Sequence, residues 1–368
     1  MSGSRLPRRA FLSLPALALP ALALPTLALP VLAAPSAAAQ ALDGQANSPN
    51  GVTLLSSGPA YGYIAGWAKL LGPHLLDGLP PDVGSSFDAM GGPDGVTVCN
   101  AFGARLDPDG STMMFAPGAA LLAWLEGDSR VKYDPGHWIA TVVGATPAVL
   151  VGSAPLAPVP GGGPPLRLGA SNPVGPELAA FLALDLLGLP AVPVYGPGDP
   201  DSLIERLRRN EIDLAFLSGP KMRDLLAQAA AAGAQPLFST GALGCDGPTA
   251  RDPQLPAIPS FLEVAAQRGA HVPADDRLAA YEAAAAAASV CFAAVLPDLV
   301  RPSTLAEWRR GAELIGDSLS VAAVAVPQGV RLLTDACASS FLNQMSGSAA
   351  ALDSLRRTML RRYGWRAS

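Results

Sequence analysis

Residues 166–188 read LRLGASNPVGPELAAFLALDLLG, and the reading of this stretch decides the fold. It opens on a short apolar run, breaks in a turn of small and polar residues, and continues with apolar residues at helical spacing. Pro176 suits the first turn of that helix and Gly188 suits its end. The scheme then repeats. AVPVY (191–195) reads as a strand, and Asp199 with Pro200 opens a helix over DSLIERLRRN, the acid placed to cap it. EIDLAF (211–216), KMRDLLAQAAAAG (221–233) and PLFST (236–240) supply strand, helix and strand again. Strands alternating with helices of this length predict right-handed βαβ units and a parallel sheet. Such sheets bind ligands beyond the carboxyl ends of their strands, and the turn GASNPVG (169–175) occupies one of those ends. The helix that follows begins with N–H groups that lack intrahelical partners and carry partial positive charge, which suits an anion.

Working outward, VTLL (52–55) and STMMF (111–115) are further strand candidates, followed by the helical patterns IAGWAKLLGPHLL and AALLAWLEGD. TPAVLVG (146–152) and the Pro/Gly-rich SAPLAPVPGGGPP after it mark a crossing point between domains. The alanine-rich AAYEAAAAAAS (279–289) predicts a helix and nothing more. At 368 residues, half of them hydrophobic, the chain is long enough for two domains with cores of their own.

Charged residues make up 15% of the chain, the net charge is −5, and only three of the 25 basic residues are lysine. No basic stripe exists to displace counterions, so a nucleic-acid partner is not expected. At the N-terminus, Arg5, Arg8 and Arg9 precede an apolar stretch from Phe11 to Ala34 that ends in small residues, the pattern of an export signal. Pro15, Pro20, Pro25 and Pro30 interrupt that stretch and argue against an uncleaved membrane helix. Cleavage is expected after Ala41, giving a periplasmic protein. The arginine pair in PRRAFL resembles a twin-arginine signal but lacks the usual Ser or Thr before it and Lys after it, so the Sec route stays open. Loss of the leader removes three arginines and no acid, leaving a formal charge of −8. An anion would have to be held by local groups, since the overall field repels it.

Cys99, Cys245, Cys291 and Cys337 form no CxxC pair, which excludes zinc-ribbon and thioredoxin-type chemistry. They are either one or two disulfides of undetermined pairing or buried small side chains. GDSL at 316–319 is the block that carries the nucleophilic serine of one esterase class, with Ser318 as candidate. In that class the histidine base follows late in the chain, whereas His74, His137 and His271 all lie upstream, so a chance occurrence on a helix surface is the better reading. Three scattered histidines make no metal site, and no G-x-G-x-x-G follows a strand, so no metal, cofactor or catalytic residue is expected. What remains is a set of small-residue turns at strand ends: SSGPAYGY (56–63), MGGPDG (90–95), APG (116–118), GASNPVG (169–175) and YGPG (195–198). Small residues let a ligand approach the backbone, and together these turns point to a cleft receptor. Three to five amide donors to a charged group, each worth roughly 1.5 to 3 kcal/mol, suffice for a micromolar carboxylate complex of about 8 kcal/mol.

Several blocks, in order, resemble the periplasmic receptors of tripartite tricarboxylate transporters, the Bug family. They are MGGPDGVTVCN, LDPDGSTMMFAPG, VKYDPGHW, the stretch quoted above, VYGPGDPDSLIERLRRNEIDLAF and RDPQLPAIPSFLEVA (251–265). The resemblance spans about residues 51–310. It implies a type II periplasmic binding protein fold, an α/β class in which two lobes joined by two crossing strands close on a small organic acid. On this sequence the implied organisation is a leader over 1–41, a first lobe over 42–150, a second lobe over 151–292, and a return to the first lobe over 293–368. The implied ligand contacts are Ser57, Pro59, Ala60, Tyr61 and Tyr63, with Gly91, Gly92 and Ala116, in the first lobe. In the second they are Ala170, Ser171 and Asn172, with Tyr195 and Gly196 along one wall. The first-lobe turn departs from the family pattern in carrying two tyrosines and no acid. That departure points to a flatter or aromatic acid, or else to plain packing of both rings. The implied partners are a small organic acid and the membrane subunits of such a transporter. A hydrolase using Ser318 and a sensory binding protein are the rivals.

Overall fold

The computed structural model describes residues 51–104, 109–156, 164–172, 175–242 and 251–365. The leader, Cys245, and Pro173 and Val174 of the 169–175 turn lie outside them. In chain order the first elements are β1 (Gly51–Ser57), α1 (Tyr63–Leu76), β2 (Gly84–Met90), α2 (Val96–Ala104), β3 (Thr112–Ala116), α3 (Gly118–Glu126), β4 (Trp138–Ala145) and β5 (Ala148–Gly152). The repeating stretch gives β6 (Leu166–Ala170), α4 (Leu178–Leu186), β7 (Ala191–Tyr195), α5 (Pro200–Arg208), β8 (Leu214–Ser218), α6 (Met222–Ala231) and β9 (Gln235–Ser239). Then follow α7 (Phe261–Gln267), α8 (Asp276–Ser289), β10 (Val290–Pro297), α9 (Pro302–Gly316), α10 (Leu319–Gln328), β11 (Arg331–Thr334), α11 (Asp335–Ser346) and α12 (Ala349–Tyr363).

These strands make two sheets, ordered β11-β4-β10-β3-β1-β2 and β7-β6-β8-β5-β9. The parallel pairs are β1 with β2 and β3, and β6 with β7 and β8. The second sheet is not wholly parallel as the strand–helix alternation predicts. TPAVLVG supplies β5, which inserts antiparallel between β8 and β9. Every residue of β5 and of β10 is buried, so both read as continuous apolar runs with no alternation to mark their pairing. The chain passes from the first sheet to the second at Thr146 and Pro147 and comes back through α8 into β10. The two passages are tied where the Thr146 N–H donates to Ser289 O at 2.8 Å.

Local chemistry sets the helix starts. Asp199 accepts from the Ser202 N–H at 2.9 Å and caps α5 as its position predicts. In RDPQLPAIPSFLEVA, Ser260 and Glu263 form a reciprocal capping box at α7, and the Glu263 carboxylate also receives the Arg251 guanidinium at 2.8 Å. The alanine run is a helix, as its composition predicts, and it is also the centre of the largest core. Seven alanines of α8 are buried, and α3, α4, α11 and α12 pack around them because methyl side chains let the helix axes come close. A second core gathers Trp67, Phe115, Phe292 and Trp308 on the other face of the first sheet. Cys99 and Cys291 are buried free thiols, the small-side-chain reading, while Cys337 is disulfide-bonded.

Candidate functional site

Parallel pairing brings the carboxyl ends of β1, β2 and β3 side by side, with Ser57 opposite Met90 and Ser56 opposite Phe115. The turns that leave them therefore form one cluster containing Ser57, Pro59, Ala60, Gly91, Gly92 and Ala116. The Gly58 N–H donates to Met90 O at 3.2 Å, and both Gly58 and Gly91 hold positive φ, which a side chain would strain. Neither α1 nor α3, which start from this cluster, has a side-chain cap. At α3 the Ala120 N–H turns back to Pro117 O at 3.1 Å, and the helix starts otherwise present N–H groups that no capping side chain covers. Among the described residues the buried Ser56 and Ser57 hydroxyls find no hydrogen-bond partner, a condition that costs free energy until something supplies one.

The two tyrosines of this cluster part company. Tyr61 is 97% exposed, with the Lys69 ammonium 5.0 Å from its ring and bonded to Ala60 O at 2.7 Å. Tyr63 sits edge-on to Trp67, and burial together with the neighbouring Cys291 pushes its phenol well above the usual range.

In the second sheet Ala170 lies opposite Tyr195, and the Gly196 N–H donates to Ala170 O at 3.0 Å. Ser171 and Gly198 are pressed together, since a Cβ on Gly198 would fall 2.2 Å from Ser171 Cβ. Beneath them Arg206 is buried and donates to Val194 O at 2.6 Å and Pro197 O at 3.4 Å. Ala170, Asn172 and Tyr195 share a recess with Glu177, Phe181 and Tyr363, about 10 Å³ in volume, room for one water.

The carboxylate nearest the 169–175 turn is the protein's own. Glu177 is buried and stands where α4 begins. Burial pushes its pKa up to about 7, while the N–H groups of Glu177 and Ser171 and the charge of Arg206 pull the other way. Those N–H groups lie close to the carboxylate without a hydrogen bond of good geometry. Glu126, the last residue of α3, is also fully buried, and its carboxylate has no hydrogen-bond partner among the described residues. Burial, then the charges of Glu177 and Asp128, push it up to about 9. Burial, and then the charge of Glu126, also raise the pKa of Tyr195. Glu126, Glu177 and Arg206 are absent from the sequence-derived site. The available signal was an ionisable residue closing an otherwise apolar helical run, as in AALLAWLE.

The largest of the described cavities, about 570 Å³, lies between the start of α6 and the α10–β11 connection, and no sequence-derived site residue lines it. Volume does not select the solute site here. The strand-end turns hold the uncapped helix starts and the unpartnered hydroxyls, so they are the stronger candidate. Among the described residues no group of three His, Cys, Asp or Glu side chains could hold a metal ion.

The fold does bring a histidine to Ser318, against the expectation from chain order. Ser318 Oγ is 3.1 Å from His74 Nε2, although 244 positions separate them. Ser318 is nevertheless the N-cap of α10, accepting from the Val321 N–H at 3.4 Å, and among the described residues no acid pairs with His74. Ser318→Ala should cost about 1 kcal/mol of stability through the lost cap. It should remove no hydrolysis of a p-nitrophenyl ester; a wild-type activity lost in the variant would restore the enzyme reading. His137 sits in a short 3-10 turn with Nδ1 2.8 Å from Asp298, whose carboxylate raises its pKa.

The chain superposes on a TctC solute-binding protein from Polaromonas with a TM-score of 0.61 and 13% identity, covering 84% of this chain and 98% of that one. The fold is that of a periplasmic solute-binding protein. MatC from Rhodopseudomonas palustris, solved with bound malate, aligns with a TM-score of 0.51 and 14% identity over 83% and 99% of the two chains. A structure described as a periplasmic transporter aligns with a TM-score of 0.51 and 15% identity over 86% and 98%. No protein-family model and no curated protein sequence matches the chain. The solute-binding fold accounts for the two sheets and the double passage between them. No helix among the described residues is long and apolar enough to cross a membrane.

Proposed function

We propose that this protein is an exported receptor that captures a small organic carboxylate between two lobes and hands it to the membrane subunits of a tripartite tricarboxylate-type transporter. Residues 1–41 are its leader, and the lobes divide at about 150 and 292. The observation that carries this reading is the pairing of uncapped helix starts and orphaned Ser56 and Ser57 hydroxyls at the ends of β1–β3 within a solute-binding fold. Backbone donors suit the task, since an acidic chain cannot attract anions through its net charge. The ligand acts by differential affinity: it touches both lobes only when they close, and so favours closure.

Malate, citrate and a panel of aliphatic and aromatic carboxylates would be screened by thermal shift. A true ligand at a hundred times its Kd adds about 2.7 kcal/mol to folding stability, and Asn172→Asp, which sets a like charge beside the bound carboxylate, should weaken it at least tenfold. If no carboxylate raises the midpoint, or the variant binds as wild type does, the reading fails.

A further inference from the structure

The 570 Å³ hollow has walls from both sheets' layers: Lys221, Met222 and Arg223 at the start of α6, and Val326, Val330 and Arg331 at the α10–β11 connection. The Lys221 N–H donates to Gln328 O at 2.8 Å and ties the two walls together. Lys221 holds φ +59°, a left-handed conformation that costs a lysine about 1 to 2 kcal/mol and that this tie maintains.

The charge of the lining runs against that of the chain. Lys221 and Arg223 stand beside one carboxylate, Asp224, in a protein of net charge −5. Among the described residues the Lys221 ammonium makes no ion pair or hydrogen bond, and Arg223 makes a 3.3 Å contact to Gln254 O. Beside these cations the wall is apolar. Met222, Leu255 and Val330 are buried, and Val326 at the rim is 74% exposed, an aliphatic side chain left in water. The volume is within the range of pockets that enclose drug-sized ligands.

We propose that this hollow, which none of the candidate ligand residues lines, is a second binding site for an amphiphilic organic anion: a carboxylate or sulfonate head set against Lys221 and Arg223, and an aromatic or aliphatic body lying on Met222, Leu255 and Val326. Water solvates the head as well as the cations do, but it cannot cover the apolar wall, so the body supplies the affinity and the cations set the orientation.

The test is a fluorescence titration of the full exported protein with 1-anilinonaphthalene-8-sulfonate, which joins one sulfonate to an apolar aromatic body. Wild type should bind one equivalent saturably. Lys221→Glu combined with Arg223→Glu should weaken binding at least tenfold, and Val326→Asp should do the same from the apolar side. All of these side chains lie at the surface or rim, and circular dichroism would verify that each variant is folded. Asn172→Asp, aimed at the strand-end turns, should leave the probe's affinity unchanged, so failure of the receptor reading and failure of this one are separable. The proposal is overturned if the double charge reversal binds within twofold of wild type, if binding does not saturate at one equivalent, or if malate displaces the probe and so makes the hollow part of the receptor site.

Discussion

Glu126→Gln should make the protein more stable than wild type at pH 9 and leave it nearly unchanged at pH 5. Glu126 is fully buried at the end of α3 without a hydrogen-bond partner, where both the helix dipole and the Glu177 carboxyl oppose its charge. Its pKa in the folded protein, about 9, and that of Glu177, about 7, stand above the value of about 4.3 expected when unfolded. Between those limits the native state holds more protons than the unfolded state, so stability falls as pH rises. The contribution is fully present below the unfolded pKa and is lost through pH 7 to 9. Glutamine mimics the protonated acid and has no proton to lose. At 1.36 kcal/mol per pH unit, wild type should lose on the order of 7 to 8 kcal/mol between pH 5 and 9 through these two groups, about 5 of it through Glu126. Urea unfolding at pH 5, 7 and 9 reads this directly. Parallel pH slopes in wild type and variant would show that Glu126 is solvated or paired in the folded state.

Gly311→Val should be among the most damaging single substitutions. The end of α1 and the turn after it meet α9 at two glycines, Gly311 in α9 and Gly78 in the turn. A Cβ on Gly311 would lie 2.3 Å from Leu75 O, and one on Gly78 would lie 2.4 Å from Glu307 O, both backbone atoms that no rotamer change can move. Even alanine forces the helices apart by about an ångström, and valine by more, opening gaps around Trp308, Ala312 and Ile315, all buried in the same core. The expected cost is about 3 kcal/mol or more. Gly316→Ala, five residues along α9 and with nothing within 4 Å of the new methyl, is the control and should be neutral or stabilising by up to about 1 kcal/mol. Equal denaturation midpoints for the two variants would mean that the helices do not meet at Gly311.

The contrast between Gly311 and Gly316 shows where sequence reading stops. Both are glycines in a helical run, and nothing nearby in the chain tells them apart. Only the arrival of α1, more than 200 positions upstream, makes one of them indispensable. The same holds for Ser318. Its role as a cap follows from its neighbours, while the histidine beside it follows from the packing of α1 against α9.

By contrast, the alternation of strands and helices from 166 to 239, the Asp199 cap and the small-residue turns at strand ends were legible from the residues themselves. Each depends on interactions within a few positions: apolar periodicity, a side chain reaching its own helix start, a backbone angle that glycine tolerates. The order of strands in the sheets was not legible. TPAVLVG and VCFAAVLP are apolar throughout, so neither carries a pattern that names its neighbours, and β5 took an antiparallel place between β8 and β9. The buried Glu126 and Glu177 pair, and the basic hollow at Lys221, likewise belong to the tertiary structure alone. Charges acquire their energies from what surrounds them, and those surroundings are assembled from segments far apart along the chain.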